Sequence, residues 1–97
     1  MGKIYQNQTK LVVTATVGQD ITGATETLIK YKKPSGVEGS FAATIDDATT
    51  GVIKFSTFLT ATLDEVGDWI FWASITFSDG KKADGEPETK TIYTPGT

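Results

Sequence analysis

From Trp69 to Phe77 every odd residue is apolar, namely Trp69, Phe71, Ala73, Ile75 and Phe77, while the even positions pass from Ile70 and Trp72 to Ser74 and Thr76. Successive side chains of a strand point to opposite faces, so a period of two puts these five residues on one face of a strand. Wound at helical pitch, the same residues would scatter around the cylinder. Their aromatic and β-branched character also suits a pleated surface. Asp79-Gly80 closes the run with a turn signal, because Gly accepts positive φ without a Cβ clash. A strand with one apolar face must bury it against a second layer. The run therefore predicts a β-sandwich with this strand at its centre.

The remaining segments repeat the pattern more weakly. Ile4 and Tyr5 read as a short edge strand, and Lys3 and Lys90 give the two terminal segments, 3–9 and 88–93, only light protection as edges. Residues 10–17 alternate with Leu11, Val13, Ala15 and Val17 on one face. The connection 18–24 contributes Ile21 to one end of the core, and residues 25–32 form a strand with Thr27, Ile29 and Tyr31 inward. Lys33-Pro34-Ser35-Gly36 is a turn in which Pro presets φ at the first central position. Residues 37–45 read as one strand, with Phe41 inward and Gly39 marking a bulge. After a hairpin loop over 46–51, a short strand at 52–57 turns Ile53 and Phe55 inward. Residues 58–63 have mixed periodicity compatible with one helical turn. Lys81 to Pro87 is polar, with a bend at Asp84-Gly85, and Ile92 and Tyr93 anchor a last strand. Turn signals every ~8–12 residues between about seven short strands are the spacing of an all-β sandwich. The expected core is Leu11, Val13, Ile29, Tyr31, Phe41, Phe55, Trp69, Phe71, Ile75 and Phe77.

Composition narrows the function classes. The 97 residues suit a single domain spanning 1–97, with room for one core but not for a deep catalytic cleft as well. There is no cysteine and no histidine, which removes disulfides and the commonest general base and zinc ligand. Nine basic residues against twelve acidic give a formal charge of −3, the wrong sign for a protein that neutralises phosphates, so no nucleic-acid partner is expected. Lys30, Lys32 and Lys33 read as a solvated strand face. No apolar run approaches the ~20 residues of a membrane span, and the start lacks the apolar stretch of a secretory signal. The expectation is a soluble chain without a membrane partner. Asn7-Gln8-Thr9 matches the glycosylation sequon, but no secretory route leads to it. Gln6 departs from the hydroxyl residue that a myristoylation signal wants at that position.

Leu63, Gly67, Trp69 and Phe71 are spaced like the approach to the sixth strand of an immunoglobulin-like sandwich, where an acidic turn and a Gly precede an aromatic and then a core residue. Trp69 stands in the usual tyrosine place and Phe71 in the usual cysteine place. By that resemblance both the tyrosine corner and the inter-sheet disulfide are missing, which sets the chain apart from antibody-type relatives. Together with Asp20-Ile21-Thr22-Gly23-Ala24-Thr25, Lys32-Lys33-Pro34-Ser35-Gly36, Asp46-Asp47-Ala48-Thr49-Thr50-Gly51 and Ser78-Asp79-Gly80, nearly the whole chain resembles small immunoglobulin-like proteins encoded in tailed-phage structural gene regions. It is similar also to the N-terminal immunoglobulin-like domain of phage baseplate upper proteins. The resemblance implies an immunoglobulin-like β-sandwich of about seven antiparallel strands. The implied role is non-enzymatic and structural, in a virion assembled in the bacterial host cytoplasm, as a capsid decoration or a tail or baseplate component. Its implied partners are phage capsid or tail proteins, with self-association on the virion as a further contact.

Ile70 and Trp72 are the candidate protein-binding residues. With the odd face of their strand in the core they point the other way, where they either anchor a contact, as outward aromatics over-represented among binding hot spots do, or are covered by a neighbouring loop of the same chain. The alternative function is a carbohydrate- or host-surface-binding module, in which Trp72, Tyr31, Tyr93 and loop carboxylates supply stacking and hydrogen bonds. Asp46, Asp47, Asp64, Glu65, Asp68, Asp79, Asp84, Glu86 and Glu88 raise the question of calcium. No Asp-x-Asp-x-Asp-Gly loop is present, so solvated loop carboxylates are expected, with no metal and no cofactor. Paired carboxylates cleaving a glycosidic bond would need a cleft holding them about 5–9.5 Å apart, and no enzymatic activity is expected.

Overall fold

The computed structural model describes residues 3–59 and 62–96. Within them the protein is all-β, with nine strands: β1 (Ile4–Tyr5), β2 (Val13–Thr16), β3 (Ala24–Lys32), β4 (Glu38–Ala42), β5 (Thr44–Asp47), β6 (Val52–Phe55), β7 (Gly67–Phe77), β8 (Lys82–Asp84) and β9 (Glu88–Tyr93). The larger sheet runs β1-β9-β7-β3-β4, with β8 also paired to β7, and the smaller runs β2-β6-β5. β1 and β9 are parallel and the other pairs antiparallel. The two sheets enclose the apolar core in a sandwich-like arrangement.

β7 is the longest strand and the centre of the larger sheet, holding β3 along one edge and β9 and β8 in succession along the other. Trp69, Phe71, Ala73 and Ile75 are buried, and Phe77 is half-buried at the far end. They meet Val13 of β2, Ile29 of β3, Ile53 of β6, Ile92 of β9 and, from the connections, Ile21, Phe58 and Leu63. Leu11, Tyr31, Phe41 and Phe55 pack against this cluster half-buried. Aromatic rings join the two sheets: Phe41 of β4 stacks on Phe55 of β6 with centroids 4.4 Å apart, and Phe58 packs edge-on to both. Tyr31 links Phe41 to Trp69. Such ring pairs add to the burial of their area.

The strand count exceeds the expected seven for two local reasons. The expected strand over 37–45 is broken at Ala43, which donates its N–H to the Thr27 carbonyl (3.0 Å) and accepts the Thr27 hydroxyl on its own carbonyl (2.6 Å). Past that point the chain leaves β3 and pairs with β6. A register shift follows at residues 45–47, and both Ile45 and Val37, which precedes β4, are exposed. Second, the polar stretch expected to bend at Asp84-Gly85 pairs with β7 as β8. Gly85 then donates to Ala73 O (3.0 Å), so β8 and β9 follow one edge of β7 in succession.

Gly39 pairs in register with Tyr31 and makes no bulge. A Cβ there would collide with the Tyr31 ring, which lies across the glycine. The expected helical turn over 58–63 includes residues 60 and 61, which lie outside the described residues; beside them Thr62 N–H bonds to Leu59 O at 3.0 Å. The turn after β3 forms as expected, with Gly36 N–H donating to Lys33 O and Gly36 at φ 93°. The same three-residue loop recurs after β7, where Gly80 N–H donates to Phe77 O and Lys81 O accepts from Phe77 N–H. β9 is an edge over only part of the expected segment: β7 pairs with residues 88–92 on one side, and on the other β1 covers Ile92 and Tyr93 and leaves 88–91 open.

Candidate interaction face

Because β7 turns its odd residues into the core, Ile70 and Trp72 stand on the outer face of the larger sheet, and both are half-buried there. Register gives their neighbours. Ile70 lies between Lys32 of β3 and Thr89 of β9, and Trp72 lies beside Lys30. One step further along, Ser74 lies between Leu28 and Asp84. Cross-strand neighbours at these positions are about 4.5–5.5 Å apart at Cβ, so Ile70, Trp72 and Leu28 form an apolar strip edged by the stems of two lysines. Ser74, short and flanked by longer side chains, is 6% exposed although it shares this face. Among the described residues no aromatic ring stacks on Trp72 and no protein group accepts its indole N–H, which is not a buried unsatisfied donor.

The other tryptophan is built differently. Trp69 is fully buried, and its indole Nε1–H donates to the Glu65 carbonyl at 3.0 Å. Around it, two loops are tied together. Lys33 Nζ lies 2.8 Å from Asp64 Oδ1 and 3.9 Å from Glu65 Oε2, and 5.5 Å from the centroid of the Trp69 ring. Ser35 donates both its N–H and its hydroxyl to the Glu65 carboxylate. The Lys33 hydrogen bond holds the Asp64 carboxyl below its ordinary value, and the same bond raises the Lys33 ammonium above its own. These groups hold the turn after β3 against the approach to β7, which keeps the outer face of β7 in register with Lys30 and Lys32.

Several other carboxylates are occupied locally. Asp20, Asp47 and Asp79 accept backbone N–H groups two residues on, the usual Asx-turn work. The Thr22 hydrogen bonds lower the Asp20 carboxyl. Asp46 meets Lys54, Asp68 accepts from the Thr91 hydroxyl, and Glu88 meets Lys90. Among the described residues no group of three or more acidic side chains converges as a metal site would require.

The three aromatics of the carbohydrate reading do not form one platform. Tyr31 stacks on Phe41 against the core, and Tyr93 lies beside Tyr5 at the β1–β9 pair, so Trp72 stands apart from both. Leu28 was not expected as a companion of Trp72. Its outward parity was readable once Ile29 and Tyr31 were placed inward, but its adjacency to β7 depends on a long-range pairing that no local pattern encodes. No helix is long and apolar enough to cross a membrane among the described residues. Comparison of the chain with family models, curated proteins and solved structures finds no match.

Proposed function

We propose that this chain is a non-enzymatic structural module of a tailed-phage virion, an immunoglobulin-like sandwich that docks on assembled capsid or tail protein through the outer face of β7. The observation that carries the docking role is the strip of Ile70, Trp72 and Leu28, with a free indole at its centre on the flat of a rigid central strand. The immunoglobulin-like reading is supported by strand order. If β2, β6 and β5 are taken as strands B, E and D, and β3, β7 and β9 as C, F and G, β4 falls beside β3 where the variable-type fold adds a strand. Trp69 supports it too, standing two residues before Phe71 and bonding back to the chain four residues upstream, as the corner tyrosine of that fold does. The virion itself enters through the resemblance of the turn and core segments.

Mass spectrometry and electron microscopy of purified virions test this reading, and absence of the chain from particles overturns it. Trp72→Ala is expected to leave the fold intact and to weaken docking by ~2 kcal/mol or more, the loss typical of a hot-spot aromatic. Unchanged incorporation of that variant would remove the outer face from the interface. Saturable binding on a glycan array, lost in Trp72→Ala, would favour the carbohydrate-binding alternative, which this geometry leaves with one aromatic.

A further inference from the structure

β2 is paired on one side only. Val17 donates its N–H to Gly51 O at 2.8 Å, one step beyond the Thr16–Val52 pair. In an antiparallel ladder, residues that bond the neighbour alternate with residues that turn their N–H and C=O away. Val13, Ala15 and Val17 thus face β6, while Val12 and Thr14 present their backbone groups to the open side. Across from them lies β9, which β1 covers only at Ile92 and Tyr93. Between these edges runs a groove of about 520 Å³, with Ile4, Leu11 and Val13 as its apolar lining and Lys3 and Lys90 on its rim. Val12, also in the lining, is 58% exposed. The edge is closed at Thr16, where a Cβ on Gly85 would lie 2.6 Å from the Thr16 carbonyl. The open length, residues 11–14, is therefore about 13 Å at ~3.3 Å per residue.

We infer that this groove is a strand-binding site: an extended, acidic protein segment adds to the open edge of β2 at Val12 and Thr14, lays alternate apolar side chains on Leu11 and Val13, and meets Lys3 and Lys90 with its carboxylates. Strand addition draws affinity from main-chain hydrogen bonds and specificity from pockets for alternate side chains, and this groove offers both. Charge selects the occupant. Lys3 rests over the Tyr93 ring at 4.7 Å and forms no ion pair among the described residues, Lys10 is exposed just before the groove, and Lys90 has only the exposed Glu88 at 3.7 Å. A second copy offering the same edge would set these lysines against their equivalents, whereas an acidic segment complements them. The inference does not depend on the virion reading or on the Ile70 and Trp72 face.

The test is a titration of the isotope-labelled full chain with a blocked six-residue peptide that alternates valine and threonine between terminal aspartates, followed by amide hydrogen exchange. Exchange at the Val12 and Thr14 amides is expected to slow at least tenfold at saturation. The same peptide with lysine in place of aspartate is expected to bind at least tenfold more weakly, and the Lys3→Glu, Lys90→Glu double variant, folded by circular dichroism, to reverse that preference. Trp72→Ala is expected to leave the affinity within twofold. The inference is overturned by a folded chain whose Val12 and Thr14 amides gain no protection, by equal affinity for the two peptides, by loss of binding in Trp72→Ala, or by protection that rises with protein concentration alone, which would make a second copy the occupant.

Discussion

Trp69 and Trp72 lie three residues apart on one strand and do opposite work, because the pleat sends one indole to the Glu65 carbonyl and the other to the surface. Trp69→Phe keeps most of the buried ring but deletes the N–H, leaving the part-buried carbonyl without that donor, and it weakens the contact with Lys33. We expect a loss of about 1–3 kcal/mol, against about 3–5 for Trp69→Ala, where a cavity is added. Chemical denaturation measures both, and a Trp69→Phe midpoint equal to the wild type would show that the indole bond holds nothing. The burial of Trp69 was legible in the alternation of its strand. Its hydrogen bond was not, because the acceptor is a backbone carbonyl whose direction is set by the path of the corner through Gly67. Gly39 was misread for a related reason: a glycine in a strand signals either a bulge or a close approach, and only the position of the Tyr31 ring distinguishes them.

The elements that were legible are those whose pattern is local. β7, β3 and β6 follow their period-two runs, and the turns after β3 and β7 form where Pro and Gly place them. The break between β4 and β5 was hidden because apolar alternation continues through Ala43, and the sheet switch depends on Thr27, sixteen residues away. The tie between the turn after β3 and the approach to β7 is of the same long-range kind, and it makes a pH prediction. The Asp64 carboxyl is lowered in the folded protein by Lys33, so its contribution is present above the unfolded carboxylate range, ~3.9, and is lost as pH falls through the lower folded value. Lys33 is raised, so its share is present below ~10.4 and is lost as pH climbs through the higher folded value. Asp64 is 46% exposed in its side chain, which limits the pair to about 0.2–1 kcal/mol. Asp64→Asn should therefore lose less stability than the wild type between pH 7 and pH 3. Urea midpoints at the two values decide it, and parallel losses would show that the Lys33 contact contributes nothing.

At the scale of the molecule, no disulfide joins the sheets, and their connection is aromatic. Phe41 and Phe55 stack across the sandwich with planes 7° apart, Phe58 closes on both, and Tyr31 carries the chain of rings to Trp69. The smaller sheet has only three short strands, too few to bury its apolar face without the larger one. The two layers should therefore unfold together, as small single domains usually do. This is directly measurable because both tryptophans lie on β7: fluorescence reports the larger sheet, while far-ultraviolet circular dichroism reports both. Coincident urea transitions are expected. Phe55→Ala, which empties a ring site from the smaller sheet, should shift both traces together by about 3–5 kcal/mol. A dichroism change preceding the fluorescence change, in the wild type or in that variant, would mean that β2, β6 and β5 separate first and that the aromatic bridge does not couple the layers.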